Sequence, residues 1–126
     1  MPKVFSIIVT YNGMQWIEKC ISSIMQSSIQ SDIIAIDNKS TDGIPDYIAE
    51  KHKRVHLIRS EKNPGFAKAN NIGIRYAYDL GADYVFLLNQ DAWVENETIA
   101  SLIKTFTENG NDGIASPIHL NGSYSG

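Results

Sequence analysis

The sequence contains a single cysteine, Cys20, so no internal disulfide braces the chain. Its neighbours Ile17, Ile21 and Ile24 mark it as a packing residue, and a reducing compartment is expected. Long apolar runs are also missing: the longest stretch, Tyr84-Val85-Phe86-Leu87-Leu88, falls far short of the roughly 20 residues that span a bilayer, so no membrane span is expected. Met1-Pro2-Lys3 leads directly into a strand-like run without a signal peptide's apolar stretch. A cytoplasmic location is therefore expected, at the cytoplasmic face of a membrane if these residues belong to a longer, membrane-associated protein. There is little excess charge. With 11 basic and 14 acidic residues the formal charge is −3, and the basic residues are scattered, which excludes nucleic acid as a partner. His52, His56 and His119 lack metal-ligand spacing, so no zinc site is expected. Neither Gly-x-Gly-x-x-Gly nor Gly-x-x-x-x-Gly-Lys-Ser/Thr is present, which removes dinucleotide-binding oxidoreductases and P-loop NTPases.

What is present is the composition of one globular domain over residues 1–126, with 43% hydrophobic residues and enough aromatics to build a single core. Residues 4–9 are almost continuously apolar and β-branched, as in a strand buried on both faces. From Trp16 onward, Ile17, Cys20, Ile21, Ile24 and Met25 recur at helical spacing, with Asn12 or Gly13 as the helix start. Strands are expected at 33–36, 55–58, 84–88 and 113–116. Between them, Ile44, Tyr47 and Ile48 form one helical stripe, and Phe66, Ala69, Gly73, Ala77 and Leu80 a second. A last helix is expected over 97–106, capped by Asn96. Strands alternating with helices require crossover connections, hence an α/β fold with a mainly parallel central sheet and helices on its faces.

In such sheets ligands bind outside the carboxyl ends of the strands. The polar clusters fall there: Thr10-Tyr11-Asn12, then Asp37-Asn38-Lys39-Ser40-Thr41-Asp42-Gly43, then Asn89-Gln90-Asp91. Asn63-Pro64-Gly65-Phe66 opens the third helix, with Lys68, Asn70 and Asn71 in its first turns, where free backbone N–H groups favour an anion. A pyrophosphate-linked donor suits these residue types. Its departing charge is neutralised by a hard divalent cation on carboxylate and amide oxygens, with Asp91 as the candidate ligand. Tyr11 can wall a base pocket, and Asp37 and Asn38 can hydrogen-bond base or sugar.

These blocks, Ser6-Ile7-Ile8-Val9-Thr10-Tyr11-Asn12, Ile36-Asp37-Asn38-Lys39-Ser40-Thr41-Asp42-Gly43, Asn63-Pro64-Gly65-Phe66-Ala67-Lys68-Ala69-Asn70-Asn71-Ile72-Gly73 and Leu87-Leu88-Asn89-Gln90-Asp91, resemble in order and spacing those of family 2 glycosyltransferases. The resemblance implies a GT-A fold, a Rossmann-like α/β/α sandwich, here truncated. It implies a nucleoside-diphosphate sugar donor, a saccharide or other acceptor, and a Mn2+ or Mg2+ cofactor on Asp91. It places Thr10, Tyr11 and Asn12 near the nucleobase, Asp37 and Asn38 near base and ribose, and Gly65, Lys68, Asn70 and Asn71 beside base, ribose and diphosphate. Asn89-Gln90-Asp91 stands where the family has Asp-x-Asp. Two positions depart from the commonest pattern: Asn89 replaces the first Asp of that motif, and Asn38 replaces the second Asp of an Asp-Asp pair. Fewer carboxylates imply weaker or more selective metal binding. The Asp37-Asn38 pair, the Asn63-Pro64-Gly65-Phe66 block and the Asn89-Gln90-Asp91 form are similar to the rhamnosyltransferase branch, which uses dTDP-rhamnose, with UDP- and GDP-sugars left open. The family's carboxylate general base lies downstream of these residues, so no catalytic residue is expected within the chain, which is read as a fragment that binds donor without transferring sugar.

Other readings stand beside these. Taken alone, Asp91 is as well a turn residue, Ser40-Thr41-Asp42 a helix cap, and Gly73 a packing glycine beneath the sheet. Trp16 and Trp93 read as part-buried packing residues, with Trp93 close enough to Asp91 to stack on an acceptor. The functional rivals are a non-catalytic nucleotide-sugar-binding domain and a receiver-like signalling domain. The latter needs an acidic pair after the first strand, where Thr10-Tyr11-Asn12 supplies none.

Overall fold

The computed structural model describes residues 3–62, 65–108 and 113–114. Among these described residues five strands and four helices alternate: β1 (Val4–Thr10), α1 (Met14–Met25), β2 (Asp32–Asp37), α2 (Ile44–Lys51), β3 (His56–Arg59), α3 (Phe66–Asp79), β4 (Tyr84–Asn89), α4 (Thr98–Glu108) and β5 (Gly113–Ile114). All strand pairs are parallel, in the order β3-β2-β1-β4-β5. A receiver domain has the order 2-1-3-4-5, so the topology removes that alternative. The order reverses at β1, which pairs with β2 on one side and β4 on the other. The crevice between β1 and β4 is thus the switch point where such sheets bind ligands.

Alternate residues of each strand feed two cores. Ile8, Ile33, Ala35 and Leu88 meet Ile17, Cys20, Ile21 and Ile24 of α1 and Ile44 and Ile48 of α2. On this same side Val4, Tyr84 and Phe86 hold Ile99 of α4. On the opposite face Phe5, Ile7, Ile34, Ile36 and Val85 are covered by α3 through Ala69 and Ala77. Gly73 lets α3 sit this low: a Cβ there would come within 2.7 Å of both Ile36 Cδ1 and Ile7 Cγ2. Phe66 and Leu80, expected on the same stripe, are instead exposed at the two ends of α3, where the helix overruns the sheet. Met25 is likewise exposed at the last turn of α1.

The boundaries differ from the expected ones by one or two residues, and the caps differ in kind. Asn96 does not cap α4, which starts at Thr98; its carbonyl instead accepts from the Ser28 amide at 2.8 Å. No side chain of the residue preceding α1 or α2 caps its helix. The carboxylate of Asp42 serves both, accepting from Met14 N at 2.9 Å and Ile44 N at 3.1 Å. Gly43 takes the left-handed conformation (φ 85°) that turns the chain into α2. The fifth-strand expectation is met at Gly113–Ile114; its remainder, with Gly110 and His119, lies outside the described residues.

Helices α1 and α2 are also joined on their outer side. Glu18 Oε1 accepts from Tyr47 Oη at 2.5 Å and lies 2.8 Å from His52 Nε2, while Oε2 accepts from Ser22 at 2.6 Å. Hydrogen bonds from Ser22, then Tyr47 and His52, hold the Glu18 carboxyl at about 2. Its folded pKa lies below the unfolded value, so its contribution is present above about pH 4.5 and is lost as pH falls towards 2. The stability gap between the parent and Glu18→Gln should therefore close across that window in chemical unfolding, and a gap independent of pH would contradict the assignment. Gly73→Ala should cost about 1–3 kcal/mol through overpacking, read from the same unfolding curves.

Candidate functional site

The carboxyl ends of β1, β2 and β4 and the start of α3 enclose a cleft of about 590 Å³. Its floor and one side are formed by Val9, Asn38, Asn89 and Asp91, and its rim by Tyr11, Trp16, Phe66 and Gln90. Three large rings stand at this rim with substantial exposure: Tyr11 at 49%, Trp16 at 40% and Phe66 at 47%. Apolar rings left this open beside a polar floor suit a flat, amphipathic ligand.

A polar lattice beneath the cleft sets the loop shapes. The buried carboxylate of Asp37 accepts through Oδ1 from Thr10 Oγ1 (2.8 Å) and Ser40 Oγ (2.6 Å), and through Oδ2 from Ser40 N (2.9 Å). Asn38 N donates to Thr10 O at 2.9 Å, carrying the β1–β2 pairing one step beyond the strands. Asn12 sits in the left-handed region (φ 48°), where its amide donates to Ser40 Oγ at 2.9 Å and its side-chain oxygen accepts from Thr41 N at 2.7 Å. Thr10 and Asp37 are thus bonded to each other and Asn12 to Ser40 and Thr41, and none of the three lines the cleft.

Asn38 behaves differently from its neighbour. The residue is 4% exposed, lines the cleft, and its Oδ1 has no hydrogen-bond partner. A buried carbonyl without a donor costs about 1–3 kcal/mol, and here that acceptor sits in the wall of the cleft.

On the far side of the switch point, Gln90 clasps the main chain of Tyr11. Its Oε1 accepts from Tyr11 N at 2.9 Å and its Nε2 donates to Tyr11 O at 3.0 Å. Behind it, Cys20 Sγ donates to Asn89 O at 3.6 Å, and burial, with a smaller effect of the Asp91 carboxylate, pushes the thiol up to about 12. Cys20 is thus an inert packing group, consistent with its apolar neighbours.

Of the expected residues, Tyr11, Asn38, Asn89 and Asp91 come together in the cleft. Gly65 precedes α3 with φ 96° and ψ 164°, an extended positive-φ backbone open essentially to glycine, and leads the chain to Phe66 at the rim. Lys68 and Asn71 are exposed on α3, while Asn70 is buried alongside Ala69 and Gly73 on the sheet-facing side of that helix. Asn63 and Pro64 lie outside the described residues. Trp16 is a rim residue rather than a packing one. The sequence signal for this was its place off the Ile17, Cys20, Ile21, Ile24 stripe. Trp93 is part-buried, with Lys19 Nζ 3.7 Å from its ring centroid, so a cation covers one ring face. Among the described residues no three His, Cys, Asp or Glu side chains gather to hold a metal, and Asp91 is the one carboxylate lining the cleft.

Comparison with known proteins gives this geometry a context. The family described as Glycosyl transferase family 2 matches residues 6–123. The chain is 33% identical over 118 residues to the dTDP-rhamnosyl transferase RfbF of Shigella flexneri, covering 93% of this chain and 38% of that protein. It is 34% identical over 116 residues to the low-salt glycan biosynthesis hexosyltransferase Agl10 of Haloferax volcanii, covering 91% and 36%. The chain thus spans well under half the length of these curated relatives. Among solved structures, mannosyltransferase PcManGT from Pyrobaculum calidifontis, in complex with GDP-Man and Mn2+, matches with a TM-score of 0.74 at 28% identity over 83% of this chain and 32% of that one. S. aureus TarS shares the fold, with a TM-score of 0.75 at 19% identity over 86% and 33%.

The lattice makes a direct prediction. Asp37→Ala strands two hydroxyls and a main-chain amide and should lower the unfolding free energy by roughly 2–4 kcal/mol, measured by denaturant titration. A change within the range of a surface substitution would show that the carboxylate does not frame the loops.

Proposed function

The chain belongs to glycosyl transferase family 2, and on that premise we propose that its cleft binds a nucleoside-diphosphate sugar whose sugar passes to a saccharide or other hydroxyl acceptor with inversion at the anomeric carbon. The observation that carries this reading is the unpartnered Oδ1 of Asn38 at the base of an aromatic-rimmed cleft. An imide N–H of thymine or uracil supplies the missing donor, and the faces of such a base offer flat surfaces to Tyr11 and Phe66. The 33% identity to a dTDP-rhamnosyl transferase favours a thymidine-diphosphate donor such as dTDP-rhamnose.

In this reading the remaining residues divide by what they touch. Tyr11 and Asn38 hold the base, and Gly65 and the first turn of α3, with Lys68 and Asn71, face the ribose and diphosphate, where the helix N-terminus favours negative charge. Asn70 supports that turn from its buried side. Thr10, Asn12 and Asp37 act through the loops they fix. Asp91, with Asn89 beside it, fits a Mn2+ or Mg2+ ion of the kind that takes one or two protein oxygens and completes its shell from substrate phosphates, and such an ion would neutralise leaving-group charge. In the transfer itself an acceptor oxygen bonds to the anomeric carbon as the bond to the diphosphate breaks, and the nucleoside diphosphate leaves. Among the described residues Asp91 is the one carboxylate lining the cleft, and the base that takes the acceptor proton is assigned, as the family resemblance implies, to a carboxylate downstream of Asp91. Among the described residues no helix is long and apolar enough to cross a membrane. We place the protein in the cytoplasm or at the cytoplasmic face of the membrane, where nucleotide sugars are available.

Calorimetric titration with dTDP, UDP and GDP, each with and without Mn2+, tests the reading. One nucleotide should bind saturably and more tightly with metal, and failure of all three to bind the folded intact protein would overturn it. Asn38→Ala should weaken that binding roughly 10- to 100-fold, while Asn38→Asp, which keeps an acceptor, should retain most of it. Asp91→Ala should abolish the metal enhancement while changing stability by less than about 0.5 kcal/mol, and an undiminished metal effect would remove Asp91 from its role.

A further inference from the structure

We propose that Gln90 is a positioning residue that joins the nucleotide-base wall to the metal-binding loop, so that the two halves of the cleft form as one unit; this rests on the donor-binding reading above. The side chain of Gln90 spans the crevice between β1 and β4, where the sheet pairing has ended and the two strand ends would otherwise part. Its carboxamide meets both main-chain polar groups of Tyr11, at 2.9 and 3.0 Å, and so takes the part that a neighbouring strand would play for that residue. Tyr11 has just left β1, and its ring is exposed at the rim. A ring on so short a lever is aimed by its own backbone, and that backbone is held from the β4 side by Gln90.

The opposite side of the loop is shaped to receive the clasp. A Cβ on Gly13 would lie 2.1 Å from Gln90 Oε1 and 2.4 Å from its carboxamide carbon, so only glycine leaves room for the amide plane. Asn12, between the two, is locked in its left-handed conformation by Ser40 and Thr41. The loop from Tyr11 to Gly13 is therefore pinned to the loop after β2 through Asn12 and to the end of β4 through Gln90. Gln90 is flanked in sequence by Asn89 and Asp91, so any displacement of the metal loop reaches Tyr11 through one side chain. Binding of a base and binding of a metal-bound diphosphate are then coupled through this link. An apolar or charged residue at position 90 lacks one or both halves of the clasp, since only a carboxamide of this reach donates and accepts in one plane.

The test is a double-mutant cycle in the intact protein, with the binding nucleoside diphosphate and its parent nucleoside as probes. Gln90→Ala should weaken both probes roughly tenfold, including the nucleoside without metal, although it removes neither the ring nor the carboxylate. Tyr11→Ala should weaken them comparably, and the double variant should bind no more weakly than Tyr11→Ala alone, because Gln90 acts through that ring. Gly13→Ala, which blocks the clasp from the other side, should reproduce Gln90→Ala, and hydrogen exchange at the Tyr11 amide should accelerate in both. Additive losses, or Gln90 variants that bind like a parent which itself binds nucleotide, overturn the coupling and leave the donor-binding reading standing. A folded parent that binds no nucleotide overturns both.

Discussion

The buried carboxylate of Asp37 is the constraint on which the cleft depends. A carboxyl group on a residue that is 2% exposed needs hydrogen bonds to replace its lost hydration, and here three do, from Thr10, Ser40 Oγ and Ser40 N. Those bonds join the end of β1 to the loop after β2. Thr10 closes the end of β1, and Ser40 turns the chain after β2 and passes the constraint to Asn12. Asp42 then ties the first turns of α1 and α2 to the same corner. The result is a rigid polar corner under a cleft whose upper surface is aromatic.

That arrangement separates two kinds of polar residue that look alike in a list. Asp37 and Asn12 spend their side-chain oxygens on the protein, whereas Asn38, adjacent in sequence and equally buried, keeps its Oδ1 unspent at the cleft floor. The difference follows from strand geometry: successive side chains at the end of β2 point to opposite sides, so Asp37 turns toward β1 and Asn38 toward the ligand space. The unspent oxygen is a cost in the free protein, and in the proposed complex it is the acceptor for the N–H of the base. The same logic applies across the switch point, where Gln90 spends its amide on Tyr11 and Asp91 remains available to the cleft.

The packing keeps this corner stiff. Among the described residues two helices and the start of a third cover one face of the sheet, and α3 covers the other, held low by Gly73 over Ile7 and Ile36. This close approach brings the first turn of α3, and with it Gly65 and Phe66, level with the strand ends. A side chain at position 73 would lift that turn away from the cleft as well as strain the core.

The sequence by itself determined the order of elements, because burial on both faces leaves continuous apolar runs such as residues 4–9 and helical stripes such as Ile17, Cys20, Ile21 and Ile24. It also determined the candidate blocks, since polar clusters after apolar strands have nowhere to lie but the carboxyl edge of a parallel sheet. It marked Gly73 as a contact with the sheet through the smallness of its side chain. What only the tertiary structure decided was where each polar atom is used. Asp42 as a shared cap, Asp37 as an internal frame and Gln90 as a clasp each need at least one partner 27 or more residues away, at Met14, Thr10 and Tyr11, and Asn38 is set apart by the lack of a partner for its Oδ1. Hydrogen bonds are directional and short, so their assignment follows from positions within a few tenths of an ångström, which residue type and spacing alone do not encode.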